Sequence, residues 1–347
     1  MDGGAADTRH EPLAQHGGRL CVARRLYPYA PQPWIDLSTG INPRPYRAAR
    51  SASIALGSLP EPSQLAELER TAARTFGVDD ARRVVAVPGT ELGLRLLPTL
   101  LKCSSAAIAG PTYSSHFDAW QRYGAVVNYV ARATLAVDVP NAAAIVVVNP
   151  NNPDGAQLER ARLLDLHDTA RTRQGWLIVD EAFVDLEPAL SICDLAGSGR
   201  APQLVALRSF GKFYGLAGVR LGFVIAGSEV ADRLRGLLGD WPLSADALTA
   251  GIAAYGDQAW ATKTRARLQA AAEHLDRLLV RAGFDIVGGT SLYRLARHAR
   301  ALERFEHLLR AGILTRPFDY DATLLRFGLP YGASAWRRVA DALTSVA

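Results

Sequence analysis

Between residues 64 and 226 short apolar runs alternate with amphipathic stretches, and this alternation constrains the fold more than any other feature of the chain. The runs lie at 83–87, 106–109, 126–130, 145–148, 176–179, 204–207 and 221–226. Segments with helical spacing stand among them at 64–76, 90–101, 114–123 and 157–173. Short β-branched runs separated by helices predict an α/β fold with a mainly parallel sheet covered on both faces. Thr90 reads as the N-cap of the helix it opens, with unpaired amides at that end suited to a phosphate. After about residue 228 the pattern changes. A long amphipathic helix is expected at 257–282, short strands near 291–295, 312–315 and 324–327, and a last helix at 334–346. This divides the chain into an N-terminal segment (1–45, of which 1–15 reads as a disordered lead), a large α/β domain (46–228) and a small C-terminal α+β domain (229–347).

In an open parallel sheet, ligands bind beyond the carboxyl ends of the strands. Polar residues gather at those ends: Gly89-Thr90, Pro111-Thr112-Tyr113, Asn149-Pro150-Asn151-Asn152-Pro153-Asp154-Gly155, Asp180-Glu181-Ala182-Phe183 and Ser209 to Lys212. Each alone also reads as an ordinary turn, since Asn-Pro and Asp-Gly are turn dipeptides. The last group carries the sharpest chemistry. The chain has three lysines, Lys102, Lys212 and Lys263, and otherwise writes arginine. An amine can lose its proton and form an imine with an aldehyde, which a guanidinium cannot. Ser209 and Arg220 flank Lys212 with a hydroxyl and a fork suited to phosphate, and the glycines between them let backbone approach a ligand. Together these point to pyridoxal 5'-phosphate held by Lys212; a surface lysine in a glycine-rich loop is the plain alternative. Near the N-terminus, His16-Gly17-Gly18-Arg19 reads either as a turn or as a place where backbone amides meet an anion.

The net charge of +5 comes from arginines scattered among carboxylates, with no basic block interleaved with aromatics. Nucleic acid is therefore excluded as the expected partner, while a small phosphorylated substrate suits the balance. Cys21, Cys103 and Cys193 are far apart and lack metal-ligand spacing, so no metal is expected, and free buried thiols in a reducing cytoplasm fit best. The polar N-terminus has no apolar signal core, and no apolar run reaches membrane-spanning length. The expectation is a soluble cytoplasmic enzyme that does not engage a membrane.

The asparagine-proline motif, Asp180-Glu181-Ala182-Phe183 and Ser209-x-x-Lys212 with Arg220 occur in an order and at separations that resemble the fold-type-I pyridoxal phosphate enzymes, in their histidinol-phosphate aminotransferase-like branch. The likeness spans nearly the whole chain from His16. It implies the aminotransferase-like fold, pyridoxal phosphate as cofactor and a homodimer. By the same resemblance Lys212 forms the imine and Asp180 pairs with the pyridine nitrogen. Asn152 bonds the phenolic oxygen and Tyr113 stacks on the ring. Ser209, Arg220 and the amides at Gly89-Thr90 hold the phosphate. Arg326 binds a substrate carboxylate, Arg316 faces the substrate, and His16, Gly17 and Asn42 line its pocket together with Asn152. The sequence departs from the branch at Phe183 and Leu59, where tyrosines are common, at Gly211, commonly Ser or Thr, and at Gly40, commonly asparagine. The early His16-Gly17-Gly18, Ser38-x-x-Ile41-Asn42-Pro43 and Lys212-Phe213-Tyr214 are marks of the branch's decarboxylases. They imply decarboxylation of L-threonine O-3-phosphate to (R)-1-aminopropan-2-yl phosphate in cobalamin biosynthesis. Transamination of the histidinol-phosphate type is the alternative.

Overall fold

The computed structural model describes residues 13, 17–47, 57–136 and 139–345. His16 and, Leu13 aside, the expected lead at 1–15 lie outside them, as does Val346 at the end of the expected last helix. In chain order the strands are β1 (Ile35–Asp36), β2 (Val84–Val87), β3 (Ser105–Gly110), β4 (Val126–Ala131), β5 (Ala144–Val148), β6 (Trp176–Asp180), β7 (Leu204–Ser209), β8 (Gly222–Ile225), β9 (Asp285–Thr290), β10 (Tyr293–Arg297), β11 (Ile313–Leu314), β12 (Arg316–Pro317) and β13 (Leu324–Gly328). The chain divides into two compact units, residues 45–263 and residues 1–44 with 264–347.

The central unit is built on a sheet in the order β2-β8-β7-β6-β5-β3-β4. Strands β3 to β7 are parallel, and β8 alone in this sheet runs against its neighbours β2 and β7. Alternate residues of the strands point to opposite faces. Val85, Val87, Ile108, Val146, Ile178, Val205 and Val224 face the helices Thr90–Leu101, Ser115–Tyr123 and Ser228–Leu238. Phe223, on the other face, meets Phe76 of the helix Pro62–Phe76 and Tyr255 of Ala245–Gly256, with ring centroids 5.4 and 5.5 Å away. Residues 229–263, which the sequence pattern joins to the C-terminal part, fall in this unit because Ala245–Gly256 packs along Pro62–Phe76.

In the terminal unit, β1 pairs in parallel with β11, and an antiparallel sheet runs β12-β13-β10-β9. The segment after β1 lies along β13, where the Gly328 amide donates to the Leu37 carbonyl at 2.6 Å. Helix Ala301–Arg310, not expected from the sequence, packs on β11 and on the last helix, Ala333–Thr344. Cys103 and Cys193 are buried as expected, whereas Cys21 is exposed. No described helix is long and apolar enough to cross a membrane, and no described cluster of His, Cys, Asp and Glu is arranged to hold a metal.

Candidate active site

The carboxyl ends of β2, β3, β5, β6 and β7 reach the same rim of the central sheet. Because β8 is reversed, its first residue arrives there too: Gly222 is paired with Val87 on one side and Ser209 on the other. A cavity of about 150 Å³ opens at this rim. Gly89, Thr90, Tyr113, Asn152, Asp180, Ser209, Lys212 and Arg220, all selected from the sequence, line it together.

Local structure explains each placement. Lys212 sits in a single helical turn, Phe210–Phe213, whose flanking Phe210 and Phe213 are buried. Phe210 stacks on Tyr214 at 4.9 Å, and Tyr214 on Trp260 at 5.5 Å, which anchors the turn and leaves Lys212 half-buried toward the cavity. Gly211, where the resemblance leads to an expected Ser or Thr, has a steric reason: a Cβ there would lie 2.7 Å from the Cα of Ala217. Arg220 adopts a left-handed backbone and lays its guanidinium against Gly89. Thr90 corrects the sequence reading. The N-cap is Gly89, and the Thr90 hydroxyl donates instead to the Arg208 carbonyl at 2.8 Å. A Cβ at Gly222 would collide with the Thr90 amide nitrogen and hydroxyl, so this helix can start here only beside a glycine.

Of the three asparagines in the 149–155 loop, only Asn152 lines the cavity. Asn149 clamps the loop by accepting from the Leu158 amide (2.8 Å) and donating to its carbonyl (3.0 Å). Asn151 accepts from the Thr112 hydroxyl (2.6 Å) and donates to Asp154 (2.8 Å) and to the Pro111 carbonyl (3.0 Å). Asp180 is 3% exposed and oriented on both oxygens. Oδ1 accepts from the Ala182 amide at 3.0 Å, and Oδ2 lies 2.9 Å from Nε2 of buried His116. Tyr113 donates to Glu91 at 3.0 Å, and Glu91 is paired with Arg95 at 2.6 Å. Burial, with the charge of Glu91 behind it, pushes the Tyr113 hydroxyl up to about 12. Sequence reasoning passed over His116 and Glu91. A signal for His116 was present, since it shares a helical stripe with buried Ala119 and Trp120, where a polar residue requires a partner.

The remaining candidates lie in the terminal unit. Arg316 and Arg326 are direct partners in the β12–β13 register, which puts them on one face. Arg326 is 3% exposed, donates to the Ser38 carbonyl at 2.7 Å and lies 5.0 Å from the Tyr293 ring centroid. Burial, then the charge of Arg316, lowers its pKa to about 9. Gly17 abuts the same Ser38 carbonyl, and the Gly18 amide donates to the Ser38 hydroxyl at 2.8 Å. Asn42 is buried and accepts from the Arg44 amide (3.0 Å) and from Arg267 (3.4 Å). Phe183 lines the central cavity, and Leu59 is exposed.

The cavity thus has a hydroxyl, a guanidinium and helix N-terminal amides beside an amine, with an oriented buried carboxylate in the same lining. That donor set fits a group carrying a phosphate, an aldehyde and a basic ring nitrogen.

Residues 33–343 match the aminotransferase class I and II family. The chain is 37% identical to a threonine-phosphate decarboxylase of Pseudomonas aeruginosa, over 95% of this chain and 97% of that one. It is 41% identical to a threonine-phosphate decarboxylase of a Sinorhizobium species, over 94% and 97%. Among solved structures, histidinol-phosphate aminotransferase from Sinorhizobium meliloti, in complex with pyridoxal-5'-phosphate, has the same fold. Its TM-score is 0.80 at 17% identity, over 94% of this chain and 95% of that one.

Proposed function

Because this chain belongs to the aminotransferase class I and II family, we propose that it is a pyridoxal phosphate-dependent enzyme that decarboxylates L-threonine O-3-phosphate to (R)-1-aminopropan-2-yl phosphate. The observation that carries the reading is identity of 37% and 41% with threonine-phosphate decarboxylases over nearly the full length of both partners. Its place is cobalamin biosynthesis in the cytoplasm, and it works as a homodimer.

Pyridoxal phosphate, when bound, supplies an electron sink conjugated with the substrate's α-carbon. Ser209, Arg220 and the amides at Gly89-Thr90 hold its phosphate. Asp180 keeps the pyridine nitrogen protonated, and the Ala182 amide and His116 fix the carboxylate for that contact. Asn152 donates to the phenolic oxygen, and Tyr113, restrained by Glu91, covers the ring. Lys212 would supply the amine that holds the cofactor's aldehyde and, once freed by the substrate's amine, a proton for the substrate's α-carbon. By the family resemblance, Arg326 and Arg316 would take the substrate's anionic groups, and Gly17, Asn42 and Asn152 would take part in its recognition. Decarboxylation would require the carboxylate, rather than the α-proton, to be held in line with that sink, and the two arginines are the candidates for that orientation.

The test is to incubate cofactor-loaded protein with L-threonine O-3-phosphate and no oxo acid, and to follow carbon dioxide and the amine product. Release over many turnovers is expected. No release, but turnover of histidinol phosphate with a 2-oxo acid, would instead make the chain an aminotransferase.

A further inference from the structure

Beneath the cavity the sheet buries charge. Asp180 and Ser209 line the cavity at the ends of β6 and β7, and their chain neighbours Glu181 and Arg208 point to the opposite side. There Arg208 pairs with Asp185 and lies 3.5 Å from Glu181. All three are nearly inaccessible, at 4%, 4% and 1% exposure. The guanidinium also lies 4.3 Å from the centroid of the Phe76 ring. Glu181 is held from the other direction by the Ser191 hydroxyl (2.6 Å), the Ile192 amide (2.7 Å) and the Cys193 thiol (3.1 Å). Finally, the Arg208 carbonyl takes the Thr90 hydroxyl, which ties in the start of the helix Thr90–Leu101.

The guanidinium thus ties the end of β6 to β7, and the backbone carbonyl of the same residue, whose place follows from how its side chain is held, meets the first turn of that helix. Elsewhere the same strands bury aliphatic side chains such as Val179, Val205 and Leu207. A well-packed apolar residue usually stabilises a site as well as a buried ion group does, so stability alone gives little reason for charge here. Directional bonds do something apolar packing cannot, which is to fix distance and angle.

We propose that Arg208, acting with Glu181 and Asp185, is a positioning residue that sets the spacing of Asp180, Ser209 and Thr90, and so lets the ring-nitrogen and phosphate contacts of one cofactor form together. This rests on the pyridoxal phosphate reading given above. The planar fork is essential, because it meets two carboxylates in different directions; a lysine offers one point charge.

The test uses full-length protein with Arg208→Lys, Arg208→Met and Asp185→Asn. Three quantities are read for each: the melting temperature without cofactor, the dissociation constant for pyridoxal phosphate, and the pH at which the bound cofactor's absorbance changes. Arg208→Lys is expected to melt close to the wild type, yet to bind the cofactor about tenfold more weakly and to titrate at a displaced pH. Asp185→Asn should move the same two readouts in the same direction, which keeps the test decisive if Arg208→Met does not fold. Variants whose affinity and titration stay within about twofold of the wild type, whatever their melting temperature, overturn the positioning role. Wild-type protein that takes up no cofactor overturns this inference and the proposed function together, whereas normal uptake with unchanged variants overturns this inference alone.

Discussion

Arg316 and Arg326 face each other across two paired strands, and directly opposed like charges repel. Such a pair is suited to a place where an anion arrives between or beside the charges. Because burial and Arg316 lower the Arg326 pKa to about 9, its charge is present below that pH and lost as pH rises through it. The Michaelis constant for L-threonine O-3-phosphate should therefore climb above about pH 9. Arg316→Gln removes the neighbouring charge and should carry that climb to higher pH while weakening binding overall. A wild-type constant that stays flat through this range would count against Arg326 as the anion's partner. Lys212 makes a different kind of prediction, because the proposed function puts its amine at the reacting atoms. Lys212→Ala should lower turnover by about 10²–10⁴-fold through loss of the proton donor. Its folding stability should stay within about 1 kcal/mol, since a half-buried side chain at a cavity edge carries little packing. Steady-state rates and a denaturant titration separate the two effects.

Elements differ in how much of their role is written locally. The apolar runs of the central sheet were legible because period and composition are local, and the strands begin and end within two residues of the expected ones. The direction of β8 was not legible, since alternation of side chains is the same whichever way a strand runs. Thr90 was misread for a related reason: its hydroxyl partner is a carbonyl on β7, far along the chain. Gly222 falls inside the expected run at 221–226, but nothing local shows that it sits between β2 and β7 with the helix N-terminus pressed on it. Gly222→Ala should cost about 1–3 kcal/mol through overpacking. Because the atom displaced is the Thr90 amide, cofactor affinity should fall as well. Thermal melting with and without pyridoxal phosphate measures both, and an alanine variant with wild-type values would show that the helix start yields freely.

At the scale of the whole chain, the candidates that come together at the cavity were read from strand ends, where topology alone brings polar groups to one rim. His116, Glu91 and Arg208 escaped because each acts through a partner from another element, and such pairings are set by tertiary packing. The closeness of Arg316 to Arg326 was hidden in the same way, in the register of two short strands. The reversal of β8 has a thermodynamic consequence. The chain leaves the sheet at Ser209 and re-enters it at Gly222 on the same rim, so a ligand gripping Lys212 and Arg220 fastens β7 to β8 like a clasp. A ligand that binds only the folded chain adds stability by mass action, about 2.7 kcal/mol at a hundredfold excess over its dissociation constant. The melting temperature of this protein should accordingly climb with the logarithm of free pyridoxal phosphate, and amide exchange should slow most in β7 and β8. The durability of the folded chain would then be set by the supply of the vitamin from which its cofactor is made.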